Sequence, residues 1–581
     1  MKFSNLLFLF KIFIPIFAFP FISFSNNNPN ARTGKASIWK PKGFLRTNGY
    51  DMVDEDGNKV YLKGVGLGNW LLPEGYMWIL GKYADRPRRI EALVYDLIGK
   101  EKGKEFWENY RKYYITEADI KRISELGFNS VRPALNARWL LDEDKEELVY
   151  NEETFKLLDN LIKWCKKYDV YVILDMHGAP GSQTGENIDD SKDNTCGLFI
   201  NKKNQDRLEA LWLKIVDRYK DESTVAAYDL LNEPLAKRAG GGESYKDLEP
   251  LYKRLTTAIR TIDKKHMITL EGANWSNDWS VFSEPFDDNT FYQFHYYCWD
   301  YPPSIYSVKH FKAKREEFGT PIWVGETGEG RVSIYWGMFE YLESENIGFS
   351  FWPWKKMDTT NTPYSIKPPE GWDRVVRYAA SLGEDDSIRH RYENIQQKPG
   401  KPTLEEAEKI FNEFIENIKL KNCVYFEDVV NSIFRRVPAK IEAENFGRLG
   451  EGKSYSVLAP KEISEVYRPE EPVKIELFNE VETNRQRRSV DLCTVLQKSE
   501  WLAYGFNSLA NKKLDLIVNV KCEKGKGKLN FSVGDQNVEI EVAEGDWAEI
   551  SAGKIKANKG ENSIKMMVTE GILKIDWFEL K

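Results

Sequence analysis

Eight short apolar runs, each followed by a polar stretch, constrain this chain more than any other feature. They are "VYLKGVGL" (60–67), "NSVRPAL" (129–135), "VYVILDMHG" (170–178), "VAAYDLLNEP" (225–234), "MITLEGAN" (267–274), "FYQFHYY" (291–297), "IWVGE" (322–326) and "IGFSFWPW" (347–354). They show little inward–outward alternation, as expected of parallel strands covered on both faces. Amphipathic helical stretches separate them. "TEADIKRISELG" (116–127) offers Thr116 as N-cap, Ile120, Ile123 and Leu126 on one face, and Gly127 as a stop. "ETFKLLDNLIKWCKKY" (153–168), "LEPLYKRLTTAIRTIDKK" (248–265) and "YWGMFEYLESENIG" (335–348) read the same way. Between the fifth and sixth runs the helix is short or absent. Eight strands alternating with helices predict an α/β fold, a (β/α)8 TIM barrel.

The texture changes twice outside this region. The first residues, "MKFSNLLFLFKIFIPIFAFPFISFSNNN", place Lys2 before a long apolar stretch that gives way to Ser and Asn. This predicts a signal peptide over residues 1–25 and a secreted, periplasmic or cell-envelope location. No other stretch is apolar for long enough to span a bilayer. Beyond residue 384 a polar segment leads to a helix over 404–418. From "AKIEAENFG" (439–447) onward come short strand-like runs punctuated by Gly, Asn and Asp, such as "LDLIVNVKC", "KLNFSVGD" and "ILKIDWFEL". These predict an all-β sandwich, jelly-roll-like, over 437–581 behind a barrel with a helical tail over 37–436. The six Cys are sparse and form no CxxC pair, so free buried thiols are expected. A net charge of −7 over 581 residues argues against nucleic acid as a partner, and a monomer is expected.

In such a barrel the residues at the C-terminal strand ends converge on one face. Here they are Arg132, His177, Asn232 with Glu233, His295 with Tyr297, Glu326, and Trp352 with Trp354. Two carboxylates in an aromatic-lined cleft suit glycoside hydrolysis. One must be protonated to assist the leaving oxygen and the other ionised to attack the anomeric carbon. Asn232 can bind a sugar hydroxyl beside the reacting carbon. Arg132 and Tyr297 can hold Glu326 ionised, and Trp352 or Trp354 is expected to form the floor beneath the sugar. The five His form no HxH, HxxxH or HExxH motif, and no cofactor is expected for catalysis.

With "NEP" after the fourth strand, "HYY" on the sixth, "VGETG" on the seventh and "FWPWK" on the eighth, residues 40–385 resemble glycoside hydrolase family 5, retaining β-glycosidases that include cellulases. The resemblance implies Glu233 as acid/base and Glu326 as nucleophile. "GVGLGNWLLPEGYM" (64–77) and "DMHGAPGSQTG" (175–185) resemble the exo-β-1,3-glucanase-like members, which implies that Glu74, Tyr76 and His177 line the subsite of the cleaved sugar. Departures are Asn69 in place of a Gly and Trp354-Lys355-Lys356-Met357 where those glucanases have Trp-Lys-x-Glu. The C-terminal part, through "IEAENF" (441–446), "EWLAYGFN" (500–507), "GDWAEI" (545–550) and "KIDWFEL" (574–580), resembles carbohydrate-binding modules of families 6 and 35. That resemblance implies a structural calcium held by Glu442, Glu444 and Asp576. The expected function is retaining hydrolysis of β-glucosidic bonds in a β-glucan, β-1,3-linked or related. An endo-β-1,4-glucanase or mannanase of the same family stands as an alternative, as does a non-catalytic glycan-binding protein.

Overall fold

The computed structural model describes residues 42–237, 240–299, 305–383, 400–458, 463–464, 467–482 and 488–581. The expected signal peptide and most of the polar segment after 384 lie outside them. Eight parallel strands close into a barrel: β1 (Lys63–Leu67), β2 (Ser130–Asn136), β3 (Tyr171–Gly178), β4 (Val225–Asp229), β5 (Met267–Glu271), β6 (Thr290–His295), β7 (Ile322–Gly328) and β8 (Gly348–Trp352). Each pairs with its sequence neighbour, and β8 closes on β1 through Phe349–Phe351 against Lys63–Val65.

Between β1 and β2 the chain inserts α1 (Pro87–Ile98) and α2 (Lys100–Tyr114), two helices the sequence patterning did not single out, before α3 (Glu117–Leu126). Then α4 (Glu152–Lys167), α5 (Lys202–Tyr219) and α6 (Tyr245–Arg260) follow β2, β3 and β4. After β5 there are only the short turns Ala273–Ser276 and Trp279–Val281. α7 (Ile305–Phe318) and α8 (Val332–Ser344) precede β7 and β8, and α9 (Trp372–Gly383), α10 (Leu404–Asn417) and α11 (Glu427–Ile433) complete the helical layer.

The barrel interior is divided along its axis. Its lower end is apolar: Tyr171, Ile173, Ala227, Met267, Phe291 and Trp323 pack with Leu45 and Met52 of an N-terminal hairpin that plugs the bottom. Its upper end is charged and aromatic. Two glycines make that end possible by close approach. A Cβ on Gly66 would lie 2.2 Å from the Trp352 ring, and one on Gly325 would lie 2.9 Å from His295 Nε2 and closer still to Gln293.

The chain passes from α11 into a sandwich whose first strand is Ala439–Glu442. One sheet orders Ile475–Glu482, Arg488–Gln497, Ile572–Leu580, Lys512–Lys521 and Ala548–Ala557, with Ala439–Glu442 added against Ile572–Leu580. The facing sheet orders Tyr455–Ser456, Trp501–Ser508, Gly560–Glu570, Lys526–Val533 and Gln536–Ala543. All strand pairings are antiparallel. The sandwich core includes one residue of the barrel, Trp336 of α8. All six Cys are free thiols, five of them buried.

Candidate active site

Strand β4 ends at Asp229, and the next residues leave the sheet under tight control. Asn232 N–H donates to Met176 O at 3.1 Å, Gln183 Nε2 donates to Asn232 O at 2.9 Å, and Leu235 N–H donates to Gln183 O at 3.0 Å. Glu233 and Leu235 both take left-handed backbone, with φ of 43° and 59°. Such a conformation costs a non-glycine residue about 1–3 kcal/mol, and these tethers hold it. The turn aims the Glu233 side chain across the barrel mouth.

There it meets Glu326, from the end of β7. One atom each of Glu233, His295 and Glu326 lie within 4.8 Å of one another. His295 Nδ1 is 2.7 Å from Glu233 Oε1 and 3.6 Å from Glu326 Oε2. Glu326 accepts from Arg132 Nη1 at 2.7 Å on Oε1 and from the Tyr297 hydroxyl at 2.7 Å on Oε2. Both oxygens of Glu326 therefore face donors, the arrangement an acceptor-only carboxylate satisfies.

Arg132 lies wholly buried at the centre of the upper barrel. Its guanidinium donates to Asp229 Oδ2 at 2.8 Å, to Asn232 Oδ1 at 2.9 Å and to Glu271 Oε1 at 2.9 Å, besides Glu326. Asp175 Oδ1 stands 3.3 Å from it. His177 Nδ1 is 2.7 Å from Asp175 Oδ2, and its Nε2 is 3.3 Å from Asn232 Nδ2. The indole of Trp352 stacks parallel on the His177 ring with centroids 5.2 Å apart. Trp352 Nε1 donates to the Tyr76 hydroxyl at 3.1 Å, and that hydroxyl is 3.3 Å from Glu329 Oε2. Lys356 pairs with the other oxygen of Glu329. Glu74 is buried beside them, and Tyr76 reaches the surface.

The protonation pattern follows from burial and neighbours. Burial, opposed by His295 and reinforced by Glu326 and Glu271, pushes the Glu233 carboxyl up to about 7. Burial pushes His177 down to about 3, so it is a neutral imidazole. Its Nδ1–H donates to Asp175, and its Nε2 accepts from Asn232. For His295 burial disfavours the charge, but Glu271, Glu326 and Glu233 together outweigh it and raise its pKa well above the ordinary histidine range. Burial, with help from Glu326, Glu329 and Glu233, raises Glu74 well above the usual carboxylate range.

Glu74, Tyr76, Arg132, His177, Asn232, Glu233, His295, Tyr297, Glu326 and Trp352 thus come together at one mouth. Trp354 does not. Its indole is buried behind the barrel wall, with Nε1 donating to Asp119 of α3 at 3.0 Å and its ring against Tyr364. The reason is local: Trp354 lies two residues past the end of β8, where the chain has turned outward. The calcium set finds no support. Among the described residues no group containing Glu442, Glu444 and Asp576 brings its oxygens within 4.8 Å of one another. Instead Asp576 accepts from Asn519 Nδ2 at 2.8 Å, and Lys440 Nζ stands 3.6 Å from Glu442. A bound calcium needs several oxygens converging at about 2.3–2.6 Å, which these side chains do not present, although burial, Glu442 and Asp576 all raise the pKa of Glu444, whose Oε2 is buried without a hydrogen-bond partner.

Sequence reasoning missed Glu271, Asp175, Asp229 and Gln183. The first was findable, since Glu271 closes "MITLE" at the same height as the other strand-end residues. Gln183 gave no signal, because it acts from a loop through main-chain contacts.

The sequence model of Cellulase (glycosyl hydrolase family 5) matches residues 96–358. A beta-xylosidase of Phanerodontia chrysosporium is 30% identical over 394 residues, covering 60% of this chain and 80% of that protein. Endoglucanase C of Acetivibrio thermocellus is 31% identical over 186 residues, covering 32% of this chain and 50% of that one. A probable glucan 1,3-beta-glucosidase A of Neosartorya fischeri is 29% identical over 228 residues, covering 38% and 52% respectively. The chain therefore spans about half the length of these last two relatives.

Proposed function

From a chain that belongs to glycosyl hydrolase family 5, and so hydrolyses O-glycosyl bonds of a glycan, we propose a retaining β-glycosidase that cuts a β-glucan by double displacement. The observation that carries this reading is the approach of Glu233 and Glu326, with an oxygen of each within 4.8 Å. Retaining pairs stand about 5–5.5 Å apart, whereas an inverting pair needs about 6.5–9.5 Å to admit a water.

Glu326, fixed by Arg132 and Tyr297, attacks the anomeric carbon. Glu233, with Oε1 taken by His295, presents Oε2 with the proton that the leaving oxygen requires. The resulting glycosyl-enzyme is hydrolysed when Glu233, now ionised, draws a proton from water. Asn232 has its oxygen committed to Arg132 and its nitrogen turned towards His177, leaving one N–H for the hydroxyl next to the reacting carbon. Trp352 supplies the floor, and Glu74, His177 and Tyr76 flank the same sugar. The enzyme is exported and works as a monomer, with the sandwich as an accessory sugar-binding module.

A second reading is a β-xylosidase, favoured by the beta-xylosidase relative of which the chain covers 80%. A panel of β-glucans and xylan with product sizing, run beside aryl β-glucoside and β-xyloside, tests both. Release of glucose or gluco-oligosaccharides with retained anomeric configuration is expected. Turnover of the xyloside alone would replace the glucan reading, and an inverted product would remove the mechanism.

A further inference from the structure

We propose that Glu271, at the end of β5, is a positioning residue that holds the acid/base Glu233 in its working geometry. This inference rests on the glycosidase reading above. Glu271 is fully buried. Its two oxygens face three components of the site. Oε2 accepts the main-chain N–H of Glu233 at 2.8 Å. Oε1 accepts from Arg132 Nη2 at 2.9 Å and stands 3.3 Å from His295 Nε2. His295 in turn binds Glu233 Oε1 through its other nitrogen. Glu271 therefore holds Glu233 directly at its main chain and, through its charge, attracts the imidazole that binds the Glu233 carboxyl.

The main-chain grip matters because Glu233 is left-handed, a state its backbone does not favour. A carboxylate receiving that N–H supplies a strong charge-assisted bond where the strain is greatest. The imidazole grip matters because the two ring nitrogens of His295 lie between two carboxylates. Removing the Glu271 charge takes away one of the two carboxylates between which the ring is held and loosens its hold on Glu233 Oε1. Displacement of a catalytic group by about 1 Å can cost about 10²-fold in rate.

The test compares kcat and KM of the wild type, Glu271→Gln and Glu271→Asp on two aryl β-glycosides, a phenyl and a dinitrophenyl. Departure of phenol needs the proton from Glu233; departure of dinitrophenolate does not. The expected result for Glu271→Gln is a fall of about 10²-fold in kcat/KM on the phenyl glycoside and a much smaller fall in kcat/KM on the dinitrophenyl one, whose kcat and KM drop together because hydrolysis of the glycosyl-enzyme still needs Glu233 as base. Glu271→Asp keeps the charge but withdraws it by one methylene, and should show the same leaving-group dependence to a lesser degree. It also serves if the Gln variant does not fold. An equal loss of kcat/KM on both substrates, or no loss in either variant, overturns the inference alone. A wild type inert towards every aryl β-glycoside overturns the glycosidase reading and this inference with it.

Discussion

At the scale of single residues, the raised pKa of Glu233 has consequences for rate and for stability. The alkaline limb of kcat/KM should have its midpoint near pH 7, since activity is lost as Glu233 gives up its proton. A limb above pH 9 in the pH–rate profile would remove Glu233 as the acid. The same shift acts on folding. The folded pKa of about 7 exceeds the ordinary carboxylate value, so the contribution of Glu233 to stability is intact below about pH 4 and lost as pH rises through 7. Glu233→Gln should therefore raise the Tm at pH 8 and leave it unchanged at pH 4, which calorimetry at the two pH values can check. The magnitude at pH 8 is about 1–3 kcal/mol. The roles of the two acids separate by replacement. Glu326→Gly should abolish hydrolysis of all substrates. Glu233→Ala should spare substrates with a nitrophenol leaving group and, with azide, give a β-azide product. An α-azide from that variant would mean that the two roles must be exchanged.

Among the elements, the join between β8 and α3 shows how a buried charge organises the barrel wall. Asp119 caps α3 through Thr116 and accepts from both Trp354 Nε1 and Lys355 Nζ, all out of contact with water. Asp119→Ala leaves the Lys355 ammonium buried and without its carboxylate, and should cost about 3–5 kcal/mol in chemical denaturation. A loss below about 1 kcal/mol would show that Lys355 finds water instead. This join also explains which parts of the site were legible in the sequence. The eight runs and the caps between them depend on local periodicity, so the barrel and the strand-end positions could be read directly. Trp352 and Trp354 look alike in "FWPW", and only the path of the chain after β8 sends one inward and the other behind the wall. Glu271 was hidden for a related reason. A strand-end acid that serves its neighbours rather than substrate carries no motif of its own, and Gln183 acts through carbonyls that every residue possesses.

Across the whole molecule, barrel and sandwich share structure rather than merely adjoin. Trp336 of α8 packs in the sandwich core, the Arg448 guanidinium lies over the ring of Tyr341 of the same helix at 4.7 Å, and Arg331 reaches Asp491 at 3.0 Å. A chain ending at residue 436 would expose the Trp336 indole, losing about 2 kcal/mol of burial. Its Tm should fall below that of the full chain; an equal Tm would show that the shared core contributes nothing. Within the sandwich, burial pushes Glu442 up to about 7 and Asp576 up to about 6. A Tm unchanged by a chelator would remove the calcium reading, whereas a drop would call for a cation there. The position of Trp336 also bears on how such a protein could be rebuilt. A module strung on a slack tether can be exchanged like a cassette, and its reach from the cleft is set by the tether. Here a helix that follows a catalytic strand is also part of the second domain's filling, so a transplant cut at the chain boundary would leave a hole in one partner and a bare indole on the other. The graftable unit is the sandwich together with the outer face of α8, and its bearing on the cleft is inherited from strand β7.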